Sequence, residues 1–158
     1  MMRRLKHVVD LAFAVVLLYV SYWVYELSNF IAYSLAGLSP TISIAGFFPA
    51  GISAVVGEGT LLVKIFQVFI ACTVPIAVLL VARVARLPAV ALASITILSI
   101  FIASFYWEFL SSAKDAPLDL HTIAFAAVAA ISQYTIVKVT KASHLFNETH
   151  VAETHVAH

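Results

Sequence analysis

Charge is scarce in this chain, and so is cysteine. Only 11% of its 158 residues are Asp, Glu, Lys or Arg, and 63% are hydrophobic, whereas soluble domains carry about 25% charged residues. With a mean hydropathy of +1.03, that shortage excludes a water-soluble globular domain and defines an integral membrane protein. The single cysteine, Cys72, lies inside an apolar run without an intrachain partner, so disulfides contribute nothing. A net charge of +1 leaves no concentrated basic face to neutralise phosphates, which excludes nucleic acid as a partner.

Long apolar runs are plentiful. A hydrocarbon core of about 30 Å takes around 20 helical residues to cross, and stretches near 9–36, 60–83, 88–110 and 120–140 meet that length. The expected fold is therefore all-α and membrane-embedded, with four transmembrane helices over residues 1–141 and a histidine-containing tail over 142–158. The first run is too long, and too poor in small residues at a cleavage position, to be only a signal peptide. Between the first two helices, residues 37–60 are apolar and punctuated by Pro40, Gly46 and Pro49. Alternation of Ile42 and Ile44 with Thr41 and Ser43 predicts a short strand there, in a membrane-associated segment whose backbone must be covered by protein or a wet cavity.

The positions of the nine Lys and Arg set the expected orientation. Arg3, Arg4, Lys6, Arg83, Arg86, Lys138 and Lys141 fall on one side, and Lys64 and Lys114 on or near the other. The positive-inside rule then places both termini in the cytoplasm of a multi-pass cell-membrane protein. Small residues are frequent in helix three (Ala91, Ala93, Ser94, Ser99, Ala103) and helix four (Ala124, Ala126, Ala127, Ala129, Ala130), as expected of helices that approach closely without a hydrophobic drive. Pro75 in helix two is compatible with a spanning helix, because neighbours satisfy the freed carbonyl. In the tail, the pentad Glu-Thr-His-Val-Ala occurs twice from Glu148. Its five-residue step keeps His150 and His155 off one helical face, which favours a solvated or partner-docking tail over a metal site.

The most informative polar residue is Glu26. A charge inside a spanning helix costs about 2.5–3.5 kcal/mol on insertion scales and marks a functional candidate. Helices one and three end alike, with Tyr22, Trp23, Tyr25 and Glu26 in one and Tyr106, Trp107 and Glu108 in the other. An interfacial aromatic belt accounts for the rings and leaves the two glutamates unexplained.

The run Tyr25-Glu26-Leu27-Ser28-Asn29-Phe30 resembles the metal-binding helix of site-2 intramembrane metalloproteases, with both zinc-binding histidines replaced, by Tyr25 and Asn29. Pro117-Leu118-Asp119 resembles the turn that supplies that family's third ligand, here followed by Leu120 in place of glycine. The resemblance implies that Glu26 occupies the general-base position and Asp119 the carboxylate ligand. A phenol and an amide are poor zinc donors beside imidazole, so the expectation is a non-catalytic relative without a cofactor. His121, two residues beyond Asp119, leaves open a rearranged zinc or other divalent-metal set of Glu26, Glu108, Asp119 and His121. Three functions follow as expectations. The first is a non-catalytic accessory or scaffold subunit that docks partner transmembrane helices in a hetero-oligomeric membrane complex. The second is an intramembrane metalloprotease with rearranged ligands. The third is a proton- or cation-conducting protein using Glu26 and Glu108.

Overall fold

A computed structural model describes the backbone of residues 2–45, 48–53, 61–110 and 118–140. Its elements run α1 (Met2–Leu35), β1 (Thr41–Ala45), β2 (Phe48–Ser53), α2 (Leu61–Ala85), α3 (Pro88–Leu110) and α4 (Leu118–Thr140). The four helices are each long and apolar enough to span a bilayer, and the expected four-helix membrane fold is the observed one. The repeated tail and the Pro117 position lie outside the described residues.

Helix α1 starts earlier than hydropathy predicts. Residue 9 is where the apolar run begins, but the helix begins at Met2 and takes in Arg3, Arg4 and Lys6. Hydropathy marks the edge of the hydrocarbon, whereas the helix continues until the backbone meets a breaker, and Arg, Leu and Lys are all good helix formers. At its other end α1 stops on Gly37, whose φ of 76° is the left-handed conformation glycine adopts without steric cost. The amides of Gly37 and Leu38 turn back to the carbonyls of Ser34 and Tyr33 at 3.1 Å each, which closes the helix in a Schellman cap.

A second Schellman cap makes the short turn from α2 to α3. Leu87 N–H bonds the Ala82 carbonyl at 2.9 Å and Arg86 N–H bonds Arg83 at 3.3 Å. Here the left-handed residue is Arg86, at φ 54°, where a side chain costs about 1–2 kcal/mol relative to a right-handed conformation. A basic residue is thereby kept at the helix end.

The β element is a hairpin, where the sequence pattern predicts a single strand. β1 and β2 pair antiparallel, with Thr41 opposite Ser53 and Ala45 opposite Phe48. The register shifts between Ser43 and Ile44, which face Gly51 and Pro49. Pro49 has no N–H to give to the ladder, so a bulge beside it is where such a residue is tolerated. The hairpin packs against α1.

Helix α3 is the centre of the bundle. It contacts α1, α2 and α4, and Val90, Ala91, Ser94, Ile95, Ile97, Leu98, Ser99, Phe101 and Ala103 are all buried. The small residues expected to permit close approach do so on α3: Ala91, Ser94 and Ala103 have no exposed surface. The Ser94 and Ser99 hydroxyls bond the carbonyls of Val90 and Ile95, each at 2.8 Å, so these buried donors are satisfied without a partner helix. Helix α4 packs on α3 through Ile136 and Val137 and through Gln133 Nε2, 3.5 Å from Thr96 Oγ1. Its alanines do not all follow the packing expectation, since Ala126, Ala127 and Ala130 are exposed. Large apolar side chains such as Phe13, Val16, Phe69 and Val81 point outward, the surface that a bilayer covers.

Helices consecutive in the chain run antiparallel, so α1 and α4 present opposite termini at one end of the bundle with the α2–α3 turn. Lys6, Arg83, Arg86 and Lys138 share this basic end, as the charge distribution predicts. The hairpin and the start of α2 mark the other, hairpin end.

Candidate functional site

Two polar features organise the bundle, and the first was not visible in the apolar pattern. Asp10, only 3% exposed, lies in α1 at the basic end. Its carboxylate oxygens accept hydrogen bonds from the backbone amides of Ala89 at 3.0 Å and Val90 at 3.1 Å. Ala89 and Val90 follow Pro88, the first residue of α3, so the carboxylate caps a helix almost 80 residues away. The cap is needed because α3 cannot cap itself. Leu87, whose carbonyl takes the Ala91 amide, stands at the N-cap position and has no acceptor on its side chain, while Pro88 removes one of the orphan donors. One turn before Asp10, Lys6 Nζ bonds the Ala85 carbonyl at the end of α2 at 3.3 Å. A cation thus meets a helix C-terminus and an anion a helix N-terminus, each matched to the helix dipole. The sequence signal for Asp10 existed: a proline-initiated helix preceded by Arg-Leu calls for an acceptor from elsewhere.

The second feature is a groove of about 320 Å³ between α1 and α3. Helical spacing aligns Leu18, Ser21, Tyr22, Tyr25 and Glu26 on one face of α1, opposite Ile97, Ile100, Phe101 and Ser104 of α3. Leu18, Tyr22 and Ile100 are exposed on its rim, so the groove opens sideways, toward the bilayer. Glu26 is buried at 8% exposure and has an interaction partner within the fold. Tyr25 packs its ring 5.3 Å from that of Phe101 at 39°. Asn29 is half-buried. Flanking the glutamate, Ser21 and Ser28 return their hydroxyls to the carbonyls of Leu18 and Val24 at 2.7 and 2.6 Å.

The other sequence-predicted site residues fall on the termini of helices at the hairpin end. Glu108 is in the last turn of α3, and Asp119 and His121 are in the first turn of α4; their side chains lie outside the described residues. Glu26 faces Phe101 and Ser104. At 1.5 Å per residue, the Glu108 backbone is about 6 Å further along α3 than Ser104. Among the described residues, no three His, Cys, Asp or Glu side chains converge as a metal site would require.

Gln67 is a polar residue that sequence reasoning passed over. It is 1% exposed and lies one turn from Ala71, which packs with Ile97 and Phe101. Neither its amide nitrogen nor its oxygen bonds any described residue. A buried amide left in that state costs about 1–3 kcal/mol.

The fold and these two sites define a polytopic four-helix membrane protein, with one helix clamped at one end of the bundle and a carboxylate-containing groove open to the membrane. Compared with known families, curated proteins and solved structures, the chain finds no match.

Proposed function

We propose that the protein is a non-catalytic docking subunit of a larger membrane complex, and that the α1–α3 groove receives a transmembrane helix of a partner. The observation that carries this reading is the lateral opening of the groove between Leu18, Tyr22 and Ile100, where a neighbouring helix can enter without unfolding the bundle. Membrane helices associate through close packing and interhelical hydrogen bonds, and the groove offers both, with apolar walls of Ile97 and Phe101 and the polar groups of Ser21, Tyr22, Glu26 and Ser104. The resemblance to intramembrane metalloproteases fits the same reading, since a fold that admits a substrate helix keeps its grip when Tyr25 and Asn29 replace metal ligands. The engagement of Tyr25 with Phe101 supports packing, rather than ligation, as the role of that position.

Replacing Glu26 separates docking from the enzymatic and transport alternatives. Glu26→Gln keeps hydrogen-bonding capacity and is expected to leave co-purification of partners from native membranes intact. Glu26→Leu removes a contact worth about 1–2 kcal/mol in membranes and is expected to lower it. Cleavage of a co-expressed membrane substrate, or a proton flux in vesicles, that is present in the wild type and lost in Glu26→Gln would overturn the docking reading, because Gln can neither act as a general base nor titrate.

The basic end is proposed to face the cytoplasm, supported by the gathering of Lys6, Arg83, Arg86 and Lys138 there and the positive-inside rule. In a Cys72→Ala background, Ser143→Cys is expected to be shielded from an impermeant thiol reagent in intact cells and Ser112→Cys to react. The reverse labelling pattern would invert the orientation.

A further inference from the structure

We propose that the α2–α3 turn binds the headgroup of an anionic phospholipid through Lys6, Arg83 and Arg86. These residues belong to the basic end and none of them lines the α1–α3 groove, so the proposal is independent of helix docking. Cations from two helices gather around one helix end. Lys6 Nζ reaches from α1 to the Ala85 carbonyl at 3.3 Å, which belongs to the peptide joining Ala85 to Arg86, and Arg83 stands just before it in the last turn of α2. All three side chains are exposed, and neither guanidinium has a partner among the described residues.

No carboxylate at this end neutralises them. Asp10 is the one present there among the described residues, and its oxygens already accept the Ala89 and Val90 amides. The Ala85 carbonyl satisfies only part of the Lys6 ammonium, which has further protons to donate. Arg86 holds its charge in an unfavourable conformation: its φ of 54° is the left-handed geometry that glycine prefers at the end of a Schellman cap. The fold thus keeps a cation where the backbone alone would favour glycine.

Phosphate oxygens accept paired bonds from a guanidinium and bonds from an ammonium. Apolar side chains adjoin the same cations along the chain, with Leu5 and Val8 near Lys6 and Val81 and Val84 near Arg83, all exposed, Val84 by 87%. A free phosphate would leave that surface unused, whereas a phospholipid lays its acyl chains on it while its headgroup meets the cations. A net negative headgroup is selected over phosphatidylcholine, whose own ammonium the cluster repels. Lys and Arg beside a membrane attract anionic lipids in general, and here their convergence at one turn makes the attraction local. Lys138, at the same end, provides the contrast. Its ammonium lies 5.9 Å from the ring of Tyr134 in its own helix, and α4 packs on α3.

The full chain in a neutral detergent is titrated calorimetrically with dioctanoyl phosphatidylglycerol, dioctanoyl phosphatidylcholine and inorganic phosphate. Phosphatidylglycerol is expected to saturate a single site per chain and to bind at least about tenfold more tightly than either of the others. Arg83→Gln and Arg86→Gly should each weaken it about fivefold, the effect of one basic residue near a membrane surface, and Lys138→Gln by less than about twofold. Arg86→Gly is also expected to keep or raise the unfolding midpoint followed by tryptophan emission, which separates lost binding from lost folding. Equal binding of phosphatidylcholine overturns the inference. Equal binding of inorganic phosphate replaces the lipid by a free anion and overturns it as well. If Lys138→Gln weakens binding as much as Arg83→Gln, the attraction is diffuse and the site falls. If Arg86→Gly lowers the midpoint, Arg83→Gln decides alone, and unchanged affinity there overturns the site. Absence of saturable phosphatidylglycerol binding to the wild-type chain overturns it outright.

Discussion

Asp10→Leu is expected to destabilise the bundle more than any other single polar replacement among the described residues. The carboxylate accepts the Ala89 and Val90 amides, and leucine, similar in size, accepts neither. Each buried amide left without an acceptor costs about 1–3 kcal/mol. Loss of the favourable charge at the N-terminus of α3 adds a further fraction, about 0.3–1 kcal/mol. Against this, the variant no longer buries a carboxylate, which offsets part of the loss. The net expectation is a fall of about 2–4 kcal/mol, read as a lower midpoint of thermal or denaturant unfolding in detergent, followed by tryptophan emission. Asp10→Asn retains one acceptor oxygen and should recover about half of the difference. Equal losses in Asn and Leu would assign the effect to charge alone, and a Leu variant as stable as the wild type would remove the clamp from the account of the fold.

Ala91→Leu should be nearly as damaging, for a different physical reason. Ala91 has no exposed surface and sits in one cluster with Ala14, Leu79 and Ala82, where α3 meets α1 and α2. Lipid is as apolar as leucine, so the larger side chain gains nothing from leaving water, and the helices must separate to admit it. Overpacking of this kind costs about 1–3 kcal/mol in tight interiors, and here it also weakens contacts along both neighbouring helices. The same substitution at Ala126, which is exposed on α4, enlarges a side chain on the outer surface and should leave the unfolding midpoint unchanged. Comparing the two variants in the same unfolding assay checks the assignment of α3 as the central helix. Equal effects at both positions would contradict it.

The membrane class, the four spans and the gathering of basic residues at one end were legible from the chain alone. Each depends on quantities that act locally: apolar length against bilayer thickness, and charge against the interface. Glu26 was legible for the same reason, because a carboxylate in an apolar run is conspicuous without any neighbour. Asp10 was equally visible as a letter and was passed over. It lies near the start of the apolar run, where a charge reads as a membrane boundary, and its meaning depends on the amides of Ala89 and Val90 far along the chain. The buried Gln67 was missed similarly, since its depth follows from the packing of Ala71 against Ile97 and Phe101 and not from its own surroundings in sequence.

Local physics also determined where α1 and α2 end: Gly37 supplies a left-handed cap, and Pro88 can begin a helix but not extend one. Hydropathy could not locate the start of α1, because helix and hydrocarbon end at different places. Only the tertiary structure decided that α3 would be enclosed and α4 left with an exposed face, since both are apolar around their circumference and carry no periodic stripe to separate core from lipid. It likewise decided that Glu26 faces Phe101 and Ser104 across an open groove. In a bilayer both faces of a helix are apolar, so the pattern that distinguishes inside from outside in water is lost. What remains to choose the arrangement is the fit of small residues and the pairing of a few polar groups.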